Sequence, residues 1–144
     1  MVIKNFNELS LSELYSILKL RQDVFVREQD CIFEDIDLKD QDAIHLLQKE
    51  GDILHAYARL LFEEDKITIS RIVTPLHLRD QGIGKAFILK IIDYVRENYS
   101  TFRIRIDAQT RLEKFYEKLG FKTVGPEFYF EGDPILHVPM ELEF

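Results

Sequence analysis

The stretch "RIVTPLHLRDQGIGKAFILKII", residues 71–92, constrains this chain more than any other. An apolar run stops at Pro75, which cannot donate to a strand ladder, and a second apolar run with helical period starts after Gly82 and Gly84. The order is strand, glycine turn, helix. The first amides of such a helix have no internal partners, and the helix dipole favours an anion beside them. Glycine at 82 and 84 lets the backbone approach a diphosphate with no Cβ in the way and permits unusual dihedrals, while Arg79 and Lys85 add positive charge. A tight turn that needs glycine for its own geometry is the alternative reading.

Two familiar phosphate loops do not fit. A P-loop needs G-x-x-x-x-G-K-[ST], but Arg79 stands at the first glycine position and Ala86 replaces the magnesium-holding hydroxyl residue. A dinucleotide fingerprint would need glycine where Phe87 stands, and would follow the strand of a βαβ unit. What remains is R-x-x-G-x-G, Arg79 to Gly84.

The surrounding pattern supplies the fold class. Ser10 and Glu13 have capping-box spacing, and Leu14, Ile17, Leu18, Arg21, Val24 and Phe25 recur at helical intervals, which predicts a first helix ending near Glu28. The acidic run "DCIFEDIDLKDQD", residues 30–42, has no period and reads as a loop. Three apolar runs broken at residues 49–52 and 63–66 then predict an antiparallel meander. After the glycine turn, a helix to about Asn98 leads to the strand "TFRIRIDA". A helix with Leu112, Phe115, Tyr116 and Leu119 on one face follows, stopped at Gly120. Strands at residues 122–124, 127–131 and 135–142 close the chain, the last two joined by a turn at Gly132, Asp133 and Pro134. The prediction is one mixed α/β domain, residues 1–144, with a largely antiparallel central sheet flanked by helices.

Composition narrows the partners. A net charge of −7 argues against nucleic acid, whose binding draws on clustered positive charge. The single cysteine, Cys31, excludes an internal disulfide and a Cys-pair zinc site. With no basic, apolar leader pattern and no run near the ~18 apolar residues of a membrane span, a cytoplasmic protein without membrane partners is expected.

Motif by motif, the residues resemble a known family. "RIVTPLHLRDQGIGKAFI" resembles motif A of the GNAT N-acetyltransferases, and "AQTRLEKFYEKLGF" resembles their motif B. "LYSILKLRQDVFVREQDCIFEDID", "HAYARLL" and "HVPM" are similar to the ElaA-like branch of that superfamily. The resemblance implies the acyl-coenzyme A N-acyltransferase fold, with two central strands that splay, and acetyl-coenzyme A as co-substrate without a metal. It implies that main-chain groups of Ile72 and Val73 bond the pantetheine arm. Arg79 and the amides of Gln81, Gly82, Ile83, Gly84 and Lys85 would hold the pyrophosphate, and Gln109 would stand where many members carry an asparagine that contacts the cofactor. Tyr116 matches the tyrosine that protonates the departing thiolate in many members; as a residue on an apolar helical face, it also reads as core.

The implied reaction is acetyl transfer to a primary amine by direct attack. An aliphatic amine is mostly protonated at neutral pH, so a base or water path must take its proton. Glu28, Asp37, His45 and His137 lie in the ElaA-like segments and are expected to shape the acceptor pocket. Asp35 is a further candidate base; as loop charges, Asp35 and Asp37 also read as solvated. The acceptor is a small-molecule or protein amine, and the protein a monomer or homodimer. A non-catalytic acyl-coenzyme A sensor is the alternative reading. Asp35, Asp37, Asp40 and Asp42 lack the glycine and glutamate of a calcium loop.

Overall fold

The computed structural model describes residues 1–144. Its strands are β1 (Val2–Asn5), β2 (Ile44–Glu50), β3 (Ile53–Phe62), β4 (Lys66–Val73), β5 (Arg103–Gln109), β6 (Lys122–Thr123) and β7 (His137–Leu142). They form one seven-stranded sheet in the order β1-β2-β3-β4-β5-β7-β6. Only β4 and β5 pair in parallel; every other neighbouring pair is antiparallel. The mixed, largely antiparallel sheet expected from the sequence is therefore present.

Helices cover both faces. Helix α1 (Leu11–Arg21) opens with the expected box: Glu13 N–H donates to Ser10 Oγ at 3.0 Å, and Ser10 N–H donates to Glu13 Oε1 at 2.8 Å. The helix widens into a π-helical segment, Gln22–Glu28. Ile17, Leu20 and Val24 from this segment and α1 pack on Leu47, Tyr57 and Val73. Helix α2 (Ile83–Asn98) buries Phe87, Ile88, Ile91, Ile92 and Val95 in a second cluster with Leu46, Ala58, Leu60, Ile104 and Met140. Helix α3 (Glu113–Glu117) adds Tyr116 to that cluster. No helix is long and apolar enough to cross a membrane.

Alternation along β5 sorts its side chains. Ile104, Ile106 and Ala108 are buried with α2 and α3, so Arg103, Arg105, Asp107 and Gln109 take the opposite face. On β7, Val138, Met140 and Leu142 join the same apolar cluster, which sends His137 to the polar side, opposite Gln109 in the β5–β7 register.

Two irregularities open the sheet. Pairing between β4 and β5 is confined to Lys66, Ile67 and Thr68 against Arg103, Ile104 and Arg105, after which the strands part. Higher up β4, Tyr57 faces Val73 while Arg59 faces Ser70, so β4 carries one extra residue, and Arg71 takes a left-handed φ of 55° there. Such a bulge bends its strand.

The expected strand at residues 127–131 is corrected to a single bridge, Phe128 with His137. The cause lies in the following turn. Gly132 sits at φ 76° so close to the loop at Ile32 that a Cβ would fall 2.1 Å from the Ile32 carbonyl oxygen. The segment leaves β7 to pack there instead of extending the sheet.

Candidate active site

Where β4 and β5 part, a cleft of about 1410 Å³ runs through the sheet. Ile88, Phe115 and Tyr116 line it from the α2 and α3 side; Ser70, Asp107 and His137 line it from the other. Two reactants entering from opposite faces would meet in the gap.

At one end stands the glycine turn. Gly82 caps α2 in the left-handed region at φ 76°, with no side chain capping the helix, and its carbonyl accepts from Ala86 N–H at 3.1 Å. The amides of Ile83, Gly84 and Lys85 are the helix's orphan donors. A Cβ on Gly82 would meet nothing within 4 Å, so glycine serves the left-handed conformation rather than a close contact, and open space lies beside it. Gly82, Gly84, Lys85, Ile72 and Val73 line the cleft. Gln81 turns its side chain to the His77 carbonyl, 3.2 Å away, and neither it nor the Ile83 side chain lines the cleft.

Tyr116 is 5% exposed, with the rings of Phe115 and Phe121 edge-on at 5.1 and 5.7 Å. Burial pushes its phenol up to about 12, opposed by the positive charge of Arg111. It therefore belongs both to the core and to the wall of the cleft. Gln109 also lines the cleft: its amide nitrogen donates to Gln29 Oε1 at 3.1 Å, and its oxygen accepts from Arg111 at 2.8 Å.

The acceptor candidates separate. Asp37 and His137 line the cleft; Glu28 and His45 do not. His45 is fully buried, and its Nε2 donates to the Asp40 carbonyl at 2.8 Å while its Nδ1 accepts from Tyr57 Oη at 2.7 Å. Burial holds its pKa below 6.5, so the ring is neutral. The structure thus corrects the assignment of His45 to the acceptor pocket: Phe6, Asp40 and Tyr57 surround its ring. Glu28 instead pairs with Arg79, whose guanidinium also donates to the Thr74 carbonyl.

A buried ion network explains the acidic loop. Arg21 and Arg59 are 0% and 1% exposed, and both donate to Asp40 Oδ1 at 2.8 Å. Arg21 also reaches Asp35, Arg59 forks onto Asp37, and Arg71 at the bulge bonds Asp35 at 2.8 Å. Burial opposes ionisation of Asp37, but the Arg59 contacts outweigh it and hold the carboxyl well below the usual range. Asp35 and Asp37 are therefore not solvated loop charges. Arg21, at an apolar position of the helical period, was the one sequence signal of this network.

Sequence reasoning also missed Asp133. It lies in the turn before β7, yet its Oδ1 accepts from Cys31 Sγ at 3.4 Å, and His137 Nε2 stands 3.7 Å from its Oδ2. Cys31 and Asp133 are 102 positions apart, which leaves no local pattern that could have joined them.

Comparison with known proteins adds the lineage. A family profile described as "Acetyltransferase (GNAT) domain" matches residues 19–144. Protein ElaA of Escherichia coli (strain K12) is 37% identical over 142 residues, 95% of this chain and 92% of the relative. The crystal structure of Escherichia coli ElaA superposes with a TM-score of 0.91 at 33% identity, covering 99% of this chain and 98% of the other. An acyl-CoA N-acyltransferase from Pseudomonas aeruginosa gives 0.88 at 32% identity over 98% and 97%. The PaiA N-acetyltransferase from Thermoplasma acidophilum, in complex with coenzyme A, shares the fold at TM-score 0.69 and 15% identity, covering 99% of this chain and 98% of that one.

Proposed function

The chain belongs to the GNAT acetyltransferase family, and on that premise we propose that it transfers an acetyl group from acetyl-coenzyme A directly to a primary amine, as a cytoplasmic enzyme. The observation that carries this reading is the cleft lined from both faces of the sheet, with the glycine turn at one end. It gives donor and acceptor separate approaches to one gap.

The residues suit the coenzyme. Beyond Thr68 the β5-facing edge of β4 has no strand partner, so main-chain groups of Ile72 and Val73 are available to a pantetheine amide. The open αL turn at Gly82, the orphan amides of α2 and the Lys85 ammonium suit a pyrophosphate. The coenzyme A bound by the PaiA relative supports the same class of ligand. When bound, acetyl-coenzyme A supplies an acetyl carbon activated as a thioester.

Protein groups then position and move protons. Tyr116, kept protonated by burial, is the donor for the leaving sulfur. Gln109 orients groups at the end of β5, and Asp37 and His137 border the acceptor side. A non-catalytic sensor would need the turn but no polar second entrance, and this entrance favours the enzyme. The test is a panel of primary amines with acetyl-coenzyme A, followed by release of free thiol. Amine-dependent thiol release is expected; tight acetyl-coenzyme A binding without release for any amine would establish the sensor instead.

A further inference from the structure

Hydrogen-bond bookkeeping at β7 singles out two atoms. His137 Nδ1 lies 2.8 Å from the Ile135 carbonyl oxygen, which can only accept, so Nδ1 carries a hydrogen and the neutral ring keeps its lone pair on Nε2. Nε2 lies 3.7 Å from Asp133 Oδ2, too far for a direct hydrogen bond. The other carboxylate oxygen, Oδ1, is already engaged by the Ile135 N–H at 2.8 Å and by the Cys31 thiol at 3.4 Å. With the ring in its neutral form two acceptors are neighbours here, and both side chains are buried, 8% and 7% exposed. A hydrogen-bond donor placed between two such acceptors satisfies both at once, and a cationic one does so most strongly.

The pair is built into the fold. Gly132 alone allows the turn to press on Ile32, which brings Asp133 onto Cys31. The His137 ring is flanked by Phe130 at 5.0 Å, edge to face, and by Phe128 at 6.1 Å. His137 is paired with Gln109 across the strands, and Asp133 and His137 both line the cleft. The site offers one carboxylate, one imidazole lone pair and aromatic surface, which is the chemistry of an ammonium group on an apolar chain.

We propose that Asp133 Oδ2 and His137 Nε2 together seat the ammonium of the acceptor, with His137 taking its proton. This rests on the transferase reading above. The ammonium gives one hydrogen bond to each atom. One proton passes to His137 Nε2, and the freed nitrogen lone pair forms the N–C bond to the acetyl carbon as the C–S bond breaks. The second nitrogen proton reaches the sulfur through Tyr116, leaving amide, thiol and a protonated His137 that returns its proton to solvent. Asp133 neither gives nor takes a proton in these steps.

The test uses n-butylamine as the probe and the full chain with labelled histidine. Titration with n-butylammonium at neutral pH is expected to move the His137 ring nitrogen resonances saturably, while n-butyltrimethylammonium, which has no N–H, leaves them unmoved. Asp133→Asn keeps an oxygen for the Ile135 amide and is expected to abolish the n-butylammonium response with acetyl-coenzyme A affinity unchanged. In turnover of n-butylamine, the same variant should lose roughly 10²-fold in kcat/KM, within the range for a group acting on proton transfer. A wild-type protein that binds acetyl-coenzyme A but shows no His137 response to n-butylammonium overturns the ammonium seat alone. An Asp133→Asn variant with wild-type response and turnover overturns it too. Failure to bind acetyl-coenzyme A at all would instead overturn the transferase reading.

Discussion

Arg79 forks its guanidinium onto the carboxylate of Glu28, joining the end of the first helical segment to the glycine turn. One arm of the fork is 2.8 Å long, and the same guanidinium reaches the Thr74 carbonyl at 3.1 Å. The arginine read from the sequence as an anion contact thus already holds an anion, and the two readings of Glu28 and Arg79 become one question.

Removing the countercharge should answer it. Glu28→Gln is expected to tighten acetyl-coenzyme A binding by no more than about fivefold, because partly exposed ion pairs are worth roughly 0–1 kcal/mol. Arg79→Ala should weaken it. Calorimetry checks both. If Glu28→Gln instead raises KM for an amine with cofactor affinity unchanged, Glu28 serves the acceptor and its pairing with Arg79 is incidental.

The two glycines of the turn should respond differently. A Cβ on Gly84 would find Thr74 Oγ1 at 3.8 Å, an ordinary contact, and Gly84 does not occupy a left-handed conformation. Gly84→Ala should therefore keep its Tm while losing acetyl-coenzyme A affinity, and Gly84→Asp should lose more. Gly82→Ala must hold φ 76°, at a cost of about 1–2 kcal/mol. Thermal melts beside calorimetry separate the two effects. A Gly84→Ala variant with wild-type affinity would mean that the ligand does not approach that residue closely.

The ion network predicts a particular acid profile. Burial opposes ionisation of Asp40, but the hydrogen bonds and charge of Arg21 and then Arg59 hold its pKa below 3.8. A carboxylate lowered in the folded state contributes stability that is full above 3.8 and lost as pH falls through its folded value. His45, held below 6.5 chiefly by burial, protonates first in the unfolded chain, so stability begins to decline as pH drops below 6.5. Two declines are expected in Tm against pH. His45→Gln should flatten the first and leave the second. Arg59→Ala should cost up to about 3–5 kcal/mol in urea denaturation at neutral pH, because it removes both short bonds to Asp37 and leaves Asp40 with Arg21 alone.

What could be read from the sequence follows from range. Period and glycine punctuation are local, and they located α2, the β2–β4 meander and the turn at Gly82. Partnership is not local. His45 alternates with Leu47 on β2, and alternation alone cannot tell whether that face meets α1 or a cleft. Asp35 and Asp37 read as surface charge because Arg59 and Arg71 arrive from β3 and β4. Residues 127–131 alternate like a strand, but Gly132 docks on Ile32, and that contact prevails.

Tyr116 brings the core reading and the catalytic reading into one side chain, and a single atom separates them. Its ring packs on Phe115 and Phe121, contacts that Tyr116→Phe preserves, so the variant should fold and bind acetyl-coenzyme A as the wild type does. With its pKa pushed up to about 12 by burial, the phenol is protonated across the neutral range. It is then always ready to donate, and its ionisation should impose no alkaline decline in rate until pH approaches that value. If the leaving sulfur takes its proton from this hydroxyl, kcat falls by about 10²–10⁴-fold in Tyr116→Phe. Single-turnover rates must accompany steady-state kinetics, since slow product release would mask a change in the chemical step. A folded variant with wild-type single-turnover rates would leave Tyr116 a core residue and require water to protonate the thiolate.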